Sequence, residues 1–330
     1  MKLSQVYGEE YMNRVVVALV TYNRRECLEK TLIAIREQLY KVTAVIIVDN
    51  NSCDDTNAFI SKYMNMDVSQ YLKSYSTESD EIKYIYYRNN INAGGSGGFA
   101  IAIDKALQMD CTHIWIMDDD VLPESNCLQI MINKMNDEVK ACIPNRTDAN
   151  FDDHACKRID FRSITKFRMY KRKEFYDEPL DKEYYSVCDM AFEGPLIAKE
   201  VIEKVGLPNT CFFIEYDDTD YAQRILKYTR IIFVSRAILH RQLAIRNNIC
   251  SKKVYKYSWR NYYSIRNNIL FNHMYGQTWG VKHMGTPLLC GWHILRSIRH
   301  LQFCNFKIIF RATFDGIKNK TGAIVKPGEM

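Results

Sequence analysis

Apolar residues in the first half of the chain come in short runs separated by helical patterns. Residues 14–21, R-V-V-V-A-L-V-T, are almost wholly apolar and β-branched, as a strand buried on both faces requires. Thr21-Tyr22-Asn23 follows, and Asn23 with Glu26 fits a capping box, in which each side chain meets a free backbone N–H at a helix start. Leu28, Leu32 and Ile35 then recur at helical spacing. Residues 42–48, V-T-A-V-I-I-V, predict a second strand that runs into Asp49-Asn50-Asn51-Ser52, with a helix from about Asp54. Residues 67–81 are polar and irregular and read as a loop. Residues 83–87 predict a third strand, followed by Arg88.

Between Asn92 and Phe99 stand Gly94, Gly95, Gly97 and Gly98. Such a run lets the backbone approach a ligand closely and open a helix, here predicted over 99–109. A fourth strand, Ile114 to Met117, ends in Asp118, Asp119 and Asp120. A helix from Pro123 through Met135 and a strand over 139–144 are expected next, then a polar excursion over 145–185 without an assigned role. Strand and helix alternate throughout. The fold class expected is therefore α/β, with a mostly parallel sheet covered by helices.

In open α/β sheets, ligands bind beyond the carboxyl ends of the strands, so the fourth strand delivers three carboxylates to that edge. Charges that close resist ionisation unless a cation joins them, and a hard divalent ion, Mn²⁺ or Mg²⁺, suits oxygen ligands and substrate phosphates. A solvated acidic turn is the alternative. Gly95 to Ala100 also fits a loose dinucleotide fingerprint. That motif belongs in the first strand–helix turn, which here contains no glycine, and this weighs against a dehydrogenase.

The chain has 330 residues, 47% hydrophobic and 25% charged, which is soluble globular composition with room for one large or two ordinary domains. None of its 11 cysteines forms C-x-x-C, against a zinc ribbon or redox motif, and their scatter suggests a reducing compartment. The N-terminal residues contain no apolar core of a signal peptide, and no apolar run is long enough to span a bilayer. A cytoplasmic location is expected.

Charge changes this picture. The net +6 divides into −11 over residues 1–220 and +17 over residues 221–330, and no acid occurs between Asp220 and Asp315. Residues 252–301 interleave cations with aromatics, among them Lys252, Lys253, Tyr255, Trp259, Arg260 and Trp292. Residues 288–301 are apolar and basic, suited to an anionic membrane surface. Nucleic-acid binding is the weaker reading, since no nucleic-acid motif is present. A helical bundle that forms a homo-oligomer interface is a third.

Four elements stand in fixed order: V-T-Y-N-R (20–24), V-D-N-N-S (48–52), R-N-x-I-N-A-G-G-S-G-G-F (88–99) and W-I-M-D-D-D-V (115–121). A fifth runs from Phe192-Glu193-Gly194-Pro195 through Val205-Gly-Leu-Pro208 to Phe212-Phe-Ile-Glu-Tyr-Asp-Asp-Thr-Asp-Tyr221. Together they resemble family 2 glycosyltransferases of the GT-A fold, over about residues 14–245. The glycine-rich loop and the triplet are similar to galactofuranosyltransferases, with bacterial rhamnosyltransferases the nearest competitors.

The resemblance implies a catalytic domain over 1–245 and a basic helical region over 246–330 for acceptor, membrane or oligomer contacts. It implies an inverting, metal-dependent transfer from a nucleotide-sugar donor, with UDP-galactofuranose favoured over dTDP-rhamnose. The acceptor would be a glycan or a polyprenyl-diphosphate-linked glycan, met on the cytoplasmic face of the plasma membrane. Mn²⁺ or Mg²⁺ would sit on Asp118 and Asp120, with His240 in the position of a third ligand. Thr21, Asn23 and Asp49 would hold uridine. Arg88, Asn92, Gly94 and Gly95 would hold diphosphate and sugar beside Asp118 and Asp119. Asp217 and Asp218 are the candidate bases, and the family favours Asp218. Asp220 suits a structural role at a helix start. The alternative from another class is a non-catalytic glycan- or membrane-binding module that keeps the fold.

Overall fold

The computed structural model describes residues 13–148, 151–243, 255–326 and 328–329. The expected boundary at 245/246 and Lys252 and Lys253 lie outside the described residues.

The first half alternates strand and helix as the hydrophobic pattern requires. β1 (Val15–Thr21), α1 (Arg25–Arg36), β2 (Ala44–Asp49) and α2 (Thr56–Tyr63) come first. β3 (Ser74–Ser79), β4 (Ile82–Arg88), α3 (Gly94–Leu107), β5 (His113–Asp118) and β6 (Val121–Pro123) follow. α4 (Cys127–Ile132), β7 (Val139–Asp148), β8 (Phe151–Asp152), β9 (Cys156–Ile159), α5 (Met169–Arg172), β10 (Lys173–Phe175) and β11 (Tyr184–Val187) fill the middle. β12 (Leu196–Ala198), α6 (Lys199–Val205), α7 (Asp217–Ile225) and β13 (Arg230–Arg241) complete the α/β part. The C-terminal helices are α8 (Trp259–Tyr275), α9 (Gly285–Arg299) and α10 (Asn305–Ile317).

The main sheet has the order β11-β13-β7-β12-β5-β1-β2-β4-β3. β5, β1, β2 and β4 are mutually parallel, as are β7 and β13, so the sheet runs mostly in one direction. β12 enters antiparallel between β5 and β7. Alternate residues of β1 face opposite cores. Val15, Val17 and Leu19 pack with α1 and α4, while Val16, Ala18 and Val20 pack with α3, α6 and α7. This two-sided burial explains why β1, β2 and β5 read as unbroken apolar runs.

Four local expectations are corrected. Residues 67–81 contain β3, an edge strand antiparallel to β4; its polar side chains are mostly exposed, so no apolar pattern marks it. The excursion over 145–185 includes the end of β7 and a two-stranded β9–β10 sheet. The helix after Pro123 is short, ending at Ile132. Asn23 does not cap α1: it lies outside the helix with φ 53°, and its Oδ1 accepts a hydrogen bond from the Cys53 N–H at 2.7 Å.

The C-terminal helices form their own apolar cluster around Tyr262, Ile265, Ile269, Leu289, Ile309 and Ala312, and Phe213 joins it from the α/β part. Arg266 and Asn267 of α8 are fully buried and reach the backbone carbonyls of residues 211–215. α8 is therefore built into the α/β part. No described helix is long and apolar enough to cross a membrane.

Candidate active site

The parallel register brings four strand ends to one edge. Thr21 pairs with Asp49, Asp49 pairs with Arg88, and Val20 pairs with Asp118. The loops beyond these ends surround a cavity of about 360 Å³, in the size range of small-ligand sites.

Asp118 and Asp119 line this cavity, with Arg24 beside them. Asp118, Asp119 and Asp120 each offer an oxygen within 4.8 Å of the others. Arg24 answers part of their charge, with its Nη1 at 3.0 Å from Asp119 and 2.8 Å from Asp120. Thr21 Oγ1 donates to Asp119 at 2.7 Å. Burial and the two neighbouring carboxylates still push Asp118 well above the ordinary carboxylate range. Burial lifts Asp119 to about 6 even against Arg24, and raises Asp120 too. An all-oxygen donor set with this much unrelieved charge fits a hard divalent cation.

The glycine loop is shaped by Asn50. Its Nδ2 donates to the Gly94 carbonyl at 2.9 Å and to Asn92 Oδ1 at 3.1 Å, and its Oδ1 accepts the Ala93 N–H at 2.9 Å. Asn92 Oδ1 also accepts the Gly94 N–H at 2.8 Å. Gly94 has φ +74°, and α3 begins there, five residues earlier than the sequence suggested. The sequence pattern puts the glycines just ahead of the helix they open; here they occupy its first turns, where the backbone packs closely.

The opposite part of the lining comes from residues 213–218. Phe213, Glu215 and Tyr216 all adopt positive φ, and Asp217 then opens α7. Asn267 holds this strained segment by donating to the carbonyls of Phe212, Ile214 and Glu215 at 2.7–3.0 Å. Asp217 and Asp218 both line the cavity. Burial and the adjacent Asp218 push Asp217 well up, and burial with Asp189 lifts Asp218 to about 6 against the pull of Lys173. Asp220 faces away: it accepts from Tyr275 Oη at 2.6 Å and from Arg224 at 3.0 Å, a structural role.

Of the residues singled out from the sequence, Thr21, Asn92, Gly94, Gly95, Asp118, Asp119, Asp217 and Asp218 line the cavity, with Asp120 in the adjoining acidic cluster. Asn23, Asp49, Arg88 and His240 do not. Asp49 is fully buried, and its oxygens take the Ser52 N–H and the Tyr86 hydroxyl, both at 2.7 Å. It braces the strand ends where a ribose contact was expected. Arg88 ties the same corner, donating to the Ser52 carbonyl at 2.9 Å. Asn23 laces the first two loops, its N–H meeting Ser52 Oγ at 2.9 Å.

His240, expected as a third ligand, is in neither the acidic cluster nor the cavity lining. Successive strand residues face opposite sides. Arg241 turns toward Glu193 at 3.2 Å, whereas His240 is exposed and its Nε2 lies 2.9 Å from Glu124 Oε1. Missed from the sequence were Arg24, Asn50, Glu193, Glu215, Trp259 and Arg260, all lining the cavity. The first four stand inside quoted motifs. The last two come from α8, whose basic and aromatic composition pointed to a membrane surface instead.

The chain matches the model of Glycosyl transferase family 2 over residues 16–206. Galactofuranosyltransferase GlfT1 of Mycolicibacterium smegmatis is 23% identical over 217 residues, covering 64% of this chain and 65% of that protein. The GalNAc(5)-diNAcBac-PP-undecaprenol beta-1,3-glucosyltransferase of Campylobacter jejuni is 25% identical over 176 residues, 53% of this chain and 52% of that protein. These matches span less than two thirds of the relatives' length. Among solved structures, the mannosyltransferase PcManGT from Pyrobaculum calidifontis, in complex with GDP-Man and Mn²⁺, superposes with TM-score 0.51 at 15% identity, covering 94% of this chain and 88% of that one. S. aureus TarS 1-349 in complex with UDP-GlcNAc gives 0.52 at 12% identity, covering 94% and 82%. The shared architecture is the GT-A fold.

Proposed function

The chain belongs to glycosyl transferase family 2, and from this premise we propose that it is an inverting, metal-dependent glycosyltransferase that uses a nucleotide diphosphate sugar. The observation that carries this is one cavity walled by both the Asp118–Asp120 cluster and the Asp217–Asp218 pair. The favoured donor is UDP-galactofuranose, supported by the glycine-rich loop and by relatives named as galactofuranosyltransferases. The acceptor is a hydroxyl of a cell-surface or lipid-linked glycan.

Asp118 and Asp120 would hold Mn²⁺ or Mg²⁺, which supplies positive charge to the departing diphosphate when bound. Arg24 adds a fixed cation beside the same carboxylates. Gly94 and Gly95 let the backbone approach the donor, and Asn50 and Asn92 fix that backbone. Asp218 accepts the acceptor hydroxyl's proton as its oxygen attacks the anomeric carbon. The bond from that carbon to the diphosphate breaks on the opposite side, which inverts the configuration. A pKa near 6 suits this, because the carboxylate is ionised at neutral pH yet more basic than an ordinary Asp.

We assign the protein to the cytoplasmic face of the plasma membrane as a peripheral protein. The exposed Leu295, Ile298, Leu301 and Phe303 beside Arg296 and Arg299 support this. The deciding test is a thermal-shift panel of UDP, dTDP and GDP with and without Mn²⁺, followed by turnover of UDP-galactofuranose. Stabilisation by UDP that requires Mn²⁺, with UDP released on adding acceptor, is the expected result. Preference for dTDP would move the donor to a rhamnosyl nucleotide, and glycan binding without any nucleotide response would favour a binding module.

A further inference from the structure

Cys156 opens β9, and Cys188 directly follows β11. The Cys188 N–H donates to the Cys156 carbonyl at 2.9 Å, so the two residues are backbone neighbours. Their sulfurs lie 3.7 Å apart, although 32 residues separate them in the chain. Among the described residues, theirs is the one thiol–thiol hydrogen bond. Backbone partners across a ladder sit roughly 4.5–5.5 Å apart at Cα, inside the ~4.4–6.8 Å that a disulfide spans. Cys156 is buried and Cys188 half-buried, so solvent reaches Cys188 first. The hydrogen bond with Cys188 and burial push the Cys156 thiol up, which keeps it protonated while Cys188 is reduced.

This pair is tied to the surroundings of Asp218 from two sides. Asp189, next to Cys188, is ion-paired with Lys173. Lys173 and Asp218 line one cavity of about 450 Å³. Burial raises the pKa of Asp218, Asp189 adds to the rise and Lys173 opposes it. On the other side, the Cys188 carbonyl accepts a hydrogen bond from Gln223 of α7, the helix that Asp217 and Asp218 open. An S–S bond is about 2.05 Å long, so closing one here draws the sulfurs together by about 1.6 Å. Cys156 is held in the β9–β10 sheet, so Cys188 makes most of that movement and takes Asp189 with it. For a catalytic group, a misplacement of ~1 Å can cost about 100-fold in rate.

We propose that Cys156 and Cys188 are a modification site, a dithiol that hydrogen peroxide converts to a disulfide, and that this bond slows transfer by moving Asp189 and α7 relative to one another around Asp218. The Cys188 sulfur attacks one peroxide oxygen, the O–O bond breaks and water leaves, which gives a sulfenic acid. That step removes the hydrogen bond that holds the Cys156 proton. The Cys156 sulfur then attacks the Cys188 sulfur, the S–O bond breaks, and a second water carries away the remaining thiol proton. Two thiols are oxidised by two electrons in all, and one peroxide is reduced to two waters. A thiol reductant reverses the bond by exchange. In a reducing compartment such a disulfide is transient, as a switch requires. The disulfide assignment rests on geometry alone; its effect on transfer rests on the transferase reading.

The test treats the reduced full chain with hydrogen peroxide and maps its peptides without reduction, in wild type, C156S and C188S. A crosslink between Cys156 and Cys188 is expected in wild type and in neither variant, with the exposed Cys53 and Cys304 reporting that the oxidant has acted. Turnover of UDP-galactofuranose should fall about tenfold or more as the crosslink forms, and dithiothreitol should restore it. Both variants should match wild type when reduced and keep their turnover under peroxide. The wild-type crosslink and its reversal decide the question even where a serine variant does not fold. Oxidation of Cys53 and Cys304 without the crosslink overturns the proposal. So does a crosslink that leaves turnover unchanged, or an equal peroxide loss in folded variants, which places the damage at another residue. If the reduced wild type neither responds to UDP nor turns over, the transferase reading falls, and the crosslink by itself decides the disulfide.

Discussion

A Cβ on residue 94 would lie 2.1 Å from the carbonyl oxygen of Phe213, deep inside any permissible contact. Gly94 opens the helix that follows the glycine loop, and Phe213 begins the strained segment leading to Asp217. Two motifs more than a hundred residues apart therefore meet backbone to backbone. The Ser96 N–H donates to the same Phe213 carbonyl at 3.2 Å and seals the contact.

Gly94→Ala should consequently damage both sides of the cavity. The positive φ and the clash act together, so a loss of about 2–4 kcal/mol is expected. Chemical denaturation gives the stability change, and the UDP thermal shift should vanish. A variant with native stability and native UDP binding would contradict the close approach.

Asp218 should make activity and stability move in opposite directions with pH. Its pKa of about 6 in the fold lies above the ordinary Asp value, so folding disfavours its ionised form. Its contribution to stability is complete below about pH 4 and is lost as pH rises through 6. A base must be ionised, so kcat/KM should fall as pH drops through about 6. Asp218→Asn should abolish transfer, leave Mn²⁺-dependent UDP binding intact, and raise the Tm at pH 7.5 by a few degrees. A lower Tm would show that the carboxylate stabilises the fold.

Arg24→Met should remove the cation paired to Asp119 and Asp120. Without metal, the cluster's repulsion then rises and the Tm should fall. Added Mn²⁺ should restore more stability in the variant than in wild type, because it relieves a larger charge. An equal Mn²⁺ shift in both proteins would separate Arg24 from the metal site.

Asn267→Ala tests whether α8 belongs to the site. The carbonyls of Ile214 and Glu215 lose this donor, at about 1 kcal/mol each for typical hydrogen bonds, whereas that of Phe212 keeps Arg266 and the Ile214 N–H. A destabilisation of about 2 kcal/mol is expected, with turnover lost before the fold melts. Normal turnover would mean that residues 213–218 keep their shape unaided.

The sequence by itself determined the α/β alternation, the parallel strands and the acidic strand end, because these are written in local periodicity. A strand buried on both faces must be apolar throughout, and β1, β2 and β5 are. It also supplied Asp118, Asp119, Asp217, Asp218 and the glycines, since carboxylate clusters and glycine runs are locally conspicuous. Only the tertiary structure decided which neighbours those groups receive. Asp49 and Asp118 both end apolar strands, yet Tyr86 and Ser52 close around the first, while the second lines a cavity. Arg24 becomes the partner of the triplet across 95 residues, and Trp259 and Arg260 reach the same cavity from a helix whose composition suggested lipid. His240 and Arg241 are adjacent in the chain but face opposite sides of β13. The physical reason is common to all four. Periodicity fixes which face a residue takes relative to its own neighbours, whereas packing between distant elements fixes what that face meets.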